Sequence, residues 1–173
     1  MTPSEMEFIL NNNITLIYDS REHQTTALKE RLRAVGFKNR REGLKFGDYT
    51  VEYEVNDQTY NLQNEIVIER KMSLDEICAN FTKGRARFER EFERAIAAGA
   101  KIHLIIENGS YEKIMEGEYR SRLNSNSLYS SLVAFCDRYN ITIHFCKPET
   151  TPVLMRKIFY HHIRNKLTKE IKI

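Results

Sequence analysis

Two carboxylates and one lysine are spaced in this sequence so that a β-sheet can bring their side chains together. Glu69 and Lys71 stand two residues apart in the segment 65–71, whose β-branched apolar run is typical of a strand. Because side chains alternate between the two faces of a strand, Glu69 and Lys71 share one face and Arg70 lies on the other. Asp48 stands at the start of the preceding predicted strand. If the two strands pair as a hairpin, Asp48 comes near Glu69.

These residue types fit the hydrolysis of a phosphodiester bond. Carboxylate oxygens are the ligands that hard divalent cations such as Mg²⁺ prefer, and such an ion lowers the pKa of its bound water. A lysine beside the ion can hold or deprotonate a water molecule next to a phosphate. We therefore predict that Asp48 and Glu69 bind Mg²⁺ or Mn²⁺ and that Lys71 orients the attacking water.

Each candidate also has an ordinary structural interpretation. Gly-Asp is common turn chemistry, so Asp48 can be a turn carboxylate. Glu69 and Lys71 can form an exposed ion pair at a strand end, and such pairs contribute little to stability. Asp19 can simply end the first predicted strand, and Glu22 can be a first-turn carboxylate favoured by a helix dipole.

The predicted elements that must position these residues alternate between strands and helices. Strands are predicted at 14–18, 47–55, 60–62, 65–71, 101–107 and 141–145. One helix is predicted to start at a cap on Thr25 or Thr26 and to end at 35, and another starts at a Ser73 capping box and continues through 81. Further helices are predicted at 88 to about 98, 111–115, 127–139 and 153–167. Residues 82–87 are predicted to be a basic loop and 116–126 a mobile loop. This order indicates an α/β fold with a mixed central β-sheet flanked by helices.

Chain length and composition agree with one domain. The 173 residues suffice for one hydrophobic core, and 41% hydrophobic with 29% charged residues is a globular profile. We predict a polar lead-in at 1–13, a core at 14–147 and a C-terminal helix at 148–173. No signal peptide or membrane span is recognisable, and three cysteines without close spacing favour neither a disulfide framework nor a zinc site. The expected location is intracellular, in the cytoplasm or nucleus, with neither a membrane partner nor a small-molecule cofactor.

The positive charges are concentrated in two stretches although the net charge is only +3. Residues 29–45 hold seven Lys or Arg against two Glu, and residues 156–172 hold six against one. Local basic excess suits phosphate contacts, which dominate the affinity for nucleic acids; the alternative is solvated faces of ordinary helices. The predicted DNA contacts are Arg40, Arg41, Lys83, Arg85 and Arg87.

Three short strings carry a resemblance to a known family. They are Asp19-Ser20-Arg21-Glu22, Gly47-Asp48-Tyr49 and Glu69-Arg70-Lys71, with Asp75 four residues after Lys71. Their types and order resemble the nuclease domain of the XPF-type structure-specific endonucleases, which belong to the restriction-endonuclease-like PD-(D/E)xK superfamily. The resemblance extends from about residue 14 to 107. The sequence shows no tandem helix-hairpin-helix module, which many members of the family carry after this domain.

The resemblance implies a restriction-endonuclease-like core in which the main-chain carbonyl of Arg70 joins Asp48 and Glu69 on the metal. It also implies that Asp19 and Glu22 belong to the same acidic cluster, touching the metal directly or through water.

The implied function is a metal-dependent DNA endonuclease of DNA repair or recombination. It would leave 5′-phosphates, act on flaps, forks or recombination intermediates, and form dimers. Three alternatives stay open: a non-catalytic DNA-binding subunit that retains the fold, a nuclease that resolves four-way (Holliday) junctions or cuts like a restriction enzyme, and a basic interaction domain.

Overall fold

A computed structural model of the chain describes residues 1–171 as seven strands and seven helices. The helices are α1 (Pro3–Asn12), α2 (Thr26–Val35), α3 (Leu74–Phe81), α4 (Arg85–Ala97), α5 (Tyr111–Glu116), α6 (Ser125–Tyr139) and α7 (Thr151–Ile171). The strands are β1 (Ile14–Asp19), β2 (Lys38–Glu42), β3 (Tyr49–Val55), β4 (Gln58–Asn61), β5 (Ile66–Lys71), β6 (Lys101–Glu107) and β7 (Ile141–Cys146). Within these 171 residues, no helix combines the length and the apolar composition that crossing a membrane requires.

The strands form one mixed sheet in the order β2-β1-β3-β5-β6-β7, which confirms the predicted fold class. Strands β1 and β2 are parallel, β3 is antiparallel to both β1 and β5, and β5, β6 and β7 are parallel. The start of β3 pairs with β5, while its end pairs with β4 in a hairpin. The hairpin turns at Asn56 and Asp57, whose φ angles of 51° and 62° are those of a type I′ turn.

Two apolar layers cover the two faces of the sheet. Helices α1, α2 and α7 pack on one face, and α3, α4, α5 and α6 pack on the other. The alternation along β5 sends Ile66 and Ile68 into the first layer and Val67 into the second. Consequently Glu69 and Lys71 face the layer of α3 and α4, and Arg70 faces the layer of α7.

The ends of α2 and α3 are encoded by local capping chemistry. The Thr25 hydroxyl accepts a hydrogen bond from the Leu28 amide, and Gly36 ends α2 with a φ of 75°, which suits glycine. The Ser73 hydroxyl caps α3 by accepting from the amide of Glu76. The Glu76 carboxylate accepts from the amide of Met72 rather than from that of Ser73, so the predicted capping box is only half formed.

The structure differs from the predicted elements at three places. Residues 1–13, described above as a polar lead-in, contain the unpredicted helix α1, which begins with a Thr2–Glu5 capping box and packs against α7. Strand β2 was not predicted, because all five of its side chains are exposed and no apolar alternation marks it. Arg85 already begins α4, so the basic loop is shorter than predicted.

A buried ion pair joins two strands to the first turn of α7. The Arg70 guanidinium donates to both carboxylate oxygens of Glu107 at 2.9 and 2.6 Å, and the Thr151 hydroxyl donates to Glu107 at 2.7 Å. Burial opposes ionisation of Glu107, but Arg70 and Thr151 outweigh it and lower the pKa of this carboxyl. The face of β5 that carries Arg70, opposite to the face that carries Glu69, is therefore stabilised by an ion pair as well as by apolar contacts.

Glu107→Ala should destabilise the protein, because it leaves the buried Arg70 guanidinium without its partner. The expected loss of unfolding free energy is roughly 3–5 kcal/mol, measured by urea denaturation. The matched control is Glu116→Ala on the exposed surface of α5, for which the change should stay within about 0.5 kcal/mol. A loss below about 1 kcal/mol for Glu107→Ala would contradict the assigned role.

A second prediction concerns two histidines on neighbouring strands. The rings of His103 on β6 and His144 on β7 are stacked, with Nδ1 of the first 2.8 Å from Nε2 of the second. Burial, together with the nearby His144 and Lys101, lowers the pKa of His103 from 6.5 to about 3. Since the unfolded chain binds this proton more readily, stability is fully present above about pH 6.5 and falls as the pH drops towards 3.

His103→Gln should therefore reduce the dependence of stability on pH. Between pH 7 and 5 the wild-type protein should lose roughly 2 kcal/mol of unfolding free energy through this one group. In urea titrations at the two pH values, the unfolding free energy of the variant should fall by about 2 kcal/mol less than that of the wild type. Equal losses for the two proteins would show that His103 titrates normally.

Candidate active site

The pairing of β3 with β5 brings Asp48 to the carboxyl end of β5. Tyr49 lies opposite Ile68, and the Asp48 amide donates to the Ile68 carbonyl at 2.9 Å. The Arg70 amide in turn donates to Oδ2 of Asp48 at 2.7 Å. The half-buried Asp48 side chain is thus fixed beside the peptide that joins Glu69 to Arg70.

The turn before Asp48 requires glycine. Gly47 has a φ of 73°, and a Cβ at this position would lie 2.9 Å from the Cβ of Val67 on β5. The absence of a side chain therefore lets the loop approach β5 closely enough to deliver Asp48.

Glu69 and Lys71 form a buried ion pair on the α3–α4 face of β5. The lysine Nζ lies 2.6 Å from Oε1 of Glu69. Lys71 is only 8% exposed and Glu69 only 4% exposed. The lysine nitrogen also lies 5.3 Å from the centre of the Phe88 ring on α4. The alternative interpretation of an exposed strand-end pair is therefore wrong.

The electrostatics of the site are dominated by two carboxylates buried close together. Burial and the charge of Glu69 raise the pKa of Asp48 well above its usual range. Burial, with Glu91 adding to it, raises the pKa of Glu69 to about 7 in spite of the neighbouring lysine. Burial disfavours the charged form of Lys71, but Glu69 and Asp48 outweigh it and raise the pKa of the ammonium. One lysine therefore stabilises two carboxylates incompletely.

The residues present fit a divalent cation. Oε2 of Glu69 is buried and finds no hydrogen-bond partner among the residues that the structure describes. With Asp48 it offers carboxylate oxygens, which hard cations prefer. Within residues 1–171, no three His, Cys, Asp or Glu side chains group closely enough to hold an ion by themselves. An ion at this place would therefore take further ligands from the main chain and from water, as Mg²⁺ commonly does.

Asp19 lies next to Asp48 in the sheet, but its carboxylate is already engaged. The Asp19 amide donates to the Asp48 carbonyl at 2.9 Å, so the last residue of β1 lies beside the residue that precedes β3. The Asp19 carboxylate accepts from the main chain and the side chain of Arg21, at 2.7 and 2.5 Å for the shortest contacts. Burial works against its charge, but the hydrogen bonds from Arg21 lower the pKa of Asp19 overall.

Glu22 is held by a tyrosine that the sequence did not single out. The hydroxyl of Tyr49 donates to Oε2 of Glu22 at 3.1 Å and accepts from the guanidinium of Arg31 at 2.9 Å. Tyr49 is fully buried and directly follows Asp48. Glu22 is close enough to contribute to the raised pKa of Asp48. The sequence string Gly47-Asp48-Tyr49 contained this residue, but only the fold reveals its partner.

Two further carboxylates reach the site from the helices that cover it. Oε1 of Glu76 on α3 lies 3.7 Å from the Nζ of Lys71. Glu91 on α4 accepts a hydrogen bond from the amide of Gly47 at 3.1 Å. Sequence reasoning treated Glu76 as a capping residue and did not single out Glu91. Glu91 stands among many Glu and Arg residues of one amphipathic helix, and no local signal separates it from them.

Three of the predicted DNA contacts lie close to the site. Lys83, Arg85 and Arg87 are exposed at the start of α4, the helix whose Phe88 lies beneath Lys71. Arg85 forms an ion pair with Glu89 one turn later at 3.0 Å.

The other two predicted contacts stand on the edge strand β2 and have protein partners. Arg40 lies within 3.0 Å of the carboxylates of both Glu42 and Glu52. Arg41 donates to the main-chain carbonyl of Ser20. Asp75, four residues after Lys71, pairs with Arg120 at 3.0 Å.

Comparisons with known proteins agree with this geometry. Two structures titled "XPF from Aeropyrum pernix" and "XPF from Aeropyrum pernix, complex with DNA" match with TM-scores of 0.58 and 0.63 and sequence identities of 21% and 19%. They cover 83% and 87% of this chain, and the chain spans 58% and 66% of theirs. No curated protein matches. The sequence model of the ERCC4 domain matches residues 18–155, well over half of the chain, and the protein therefore belongs to the ERCC4 domain family.

Proposed function

We propose that this protein is a metal-dependent DNA endonuclease that hydrolyses phosphodiester bonds in branched DNA. The observation that carries the proposal is the buried Glu69 carboxylate, whose Oε2 lacks a hydrogen-bond partner among the described residues beside Asp48 and Lys71. A group of this kind is costly unless it serves a ligand. Membership of the ERCC4 domain family supports nuclease chemistry at this place.

Asp48 and Glu69, with the main-chain carbonyl of Arg70, would hold Mg²⁺ or Mn²⁺. When bound, such an ion polarises a phosphoryl oxygen and lowers the pKa of a bound water. The hydrogen bond from the Arg70 amide keeps Asp48 in place, and the pairing of β3 with β5 sets its distance from Glu69. Asp19 remains a predicted ligand, and to serve as one it must exchange the Arg21 guanidinium for the ion.

Lys71 would orient the attacking water and stabilise the negative charge that develops on the phosphate. The adjacent carboxylates favour its ammonium form in spite of its burial, and an ammonium can donate hydrogen bonds to the water and the phosphate. Glu76 limits its movement from the other side. Glu22, held by Tyr49, would add to the negative charge that attracts the cation.

The DNA strand would cross the start of α4. Lys83, Arg85 and Arg87 are exposed there, one helical turn from the site, and can contact phosphates on either side of the scissile one. The similar XPF structure described as a complex with DNA supports this class of partner. Preference for flaps, forks or recombination intermediates is the finer part of the proposal.

Lys71→Met and Asp48→Asn should each abolish cleavage while DNA binding persists. Loss of the charge that stabilises the transition state is expected to cost about 10²–10³-fold in rate, measured on labelled flap and fork DNA with Mg²⁺. Lys101→Ala is the matched control, since it removes one positive charge at the opposite end of β6. If both site variants cut at the wild-type rate, the assignment fails. If the wild type binds but does not cut, the protein is a non-catalytic subunit.

Arg85→Ala combined with Arg87→Ala should weaken DNA binding and leave the single-turnover rate at saturating enzyme nearly unchanged. Loss of two phosphate contacts should reduce the slope of log affinity against log salt by about 2. The matched control is the pair Lys157→Ala and Arg164→Ala, two exposed positions of α7 on the other face of the sheet. If only the α7 pair changes the slope, the DNA path assigned to α4 is wrong.

A further inference from the structure

We propose that Glu91 is a positioning residue for the metal-binding carboxylate of Asp48, and this inference rests on the proposed function. It acts on Asp48 through the Gly47 amide. This interaction could not be recognised from the sequence, because it depends on how α4 packs over the loop that precedes β3.

The link is the hydrogen bond from the Gly47 amide to Oε1 of Glu91, at 3.1 Å. Gly47 directly precedes Asp48 and has no side chain that could fix its orientation. On the other side of Asp48 the sheet takes over, since the Asp48 amide donates to Ile68. The sheet holds the amide of Asp48, and the Glu91 carboxylate holds the amide of Gly47, which comes just before it.

A second side chain of α4 holds the same loop. The Arg94 guanidinium, one turn after Glu91, donates to the carbonyl of Lys45 at 3.3 Å. Phe46 lies between these two contacts and is buried in the layer of α3 to α6. The loop 43–48 is thus attached to α4 by one acceptor and one donor around a buried ring. Helix α4 is itself anchored by Phe88 and Phe92.

These contacts give Glu91 a specific task. By fixing the amide of Gly47 it sets the position of Asp48. Groups that hold metal ligands in place typically contribute 10–100-fold to metal affinity. The length of the side chain, which brings the acceptor oxygen to Gly47, is what the role requires.

Two conservative variants separate this role from a simple charge effect. Glu91→Gln keeps the length and an acceptor oxygen but loses the charge. Glu91→Asp keeps the charge but is one methylene shorter and no longer reaches the Gly47 amide. The matched controls are Glu93→Gln and Glu93→Asp, at an exposed position of the same helix.

The first measurement is amide hydrogen exchange by NMR on the metal-free protein, and the second is Mn²⁺ binding by calorimetry without DNA. We expect Glu91→Asp to speed exchange at the Gly47 and Asp48 amides and to weaken Mn²⁺ binding at least about 10-fold. Glu91→Gln should retain protection and stay within about 3-fold of the wild-type affinity. The Glu93 variants should match the wild type.

Wild-type affinity and protection in Glu91→Asp would overturn the inference, and so would a large loss in Glu91→Gln alone, which would indicate charge and not position. A wild-type protein that binds no Mn²⁺ would instead refute the metal part of the proposed function. The exchange data distinguish these failures, because they test the link to Gly47 without any metal.

Discussion

The structure depends on keeping two carboxylates, Asp48 and Glu69, close together where water is scarce. Their mutual repulsion is opposed by one buried lysine and by a single main-chain donor, the Arg70 amide. Charges in such a place are unfavourable unless they are paired. The surrounding sheet and helices must therefore hold the group rigidly, because one lysine and one amide compensate the two carboxylates only in part.

The opposite face of β5 supplies part of that rigidity. Arg70, between the two site residues in sequence, points into the α7 layer and pairs with Glu107, which also accepts a hydrogen bond from Thr151. The Arg70–Glu107 pair joins β5 to β6, so β5 cannot slide by one residue without separating it, since each slip exchanges the two faces of the strand. The register of β5, and with it the geometry of the site, is therefore fixed in part by this ion pair.

Features of the fold and of the candidate site could be predicted from the sequence where the signal for them lies in neighbouring residues. The start of α2 at Thr25 or Thr26, the strand β5 and the strings around Asp48 and Glu69 are local features, and they were recognised in the sequence. Strand β2 was missed because an edge strand with every side chain exposed carries no apolar period. The tasks of Tyr49 and Glu91 were missed because their partners lie 27 and 44 residues away in the chain. Local patterns carry no information about such partners.

This dependence on distant partners has a consequence for the life of the protein in the cell. The hydrogen bond from Arg70 to Asp48 spans 22 residues, and that from Gly47 to Glu91 spans 44. Contacts that close such long loops form late, since their entropy cost must be met before they can stabilise the chain. During synthesis, a nascent chain on the ribosome can complete its acidic pocket only after α4 has emerged and docked.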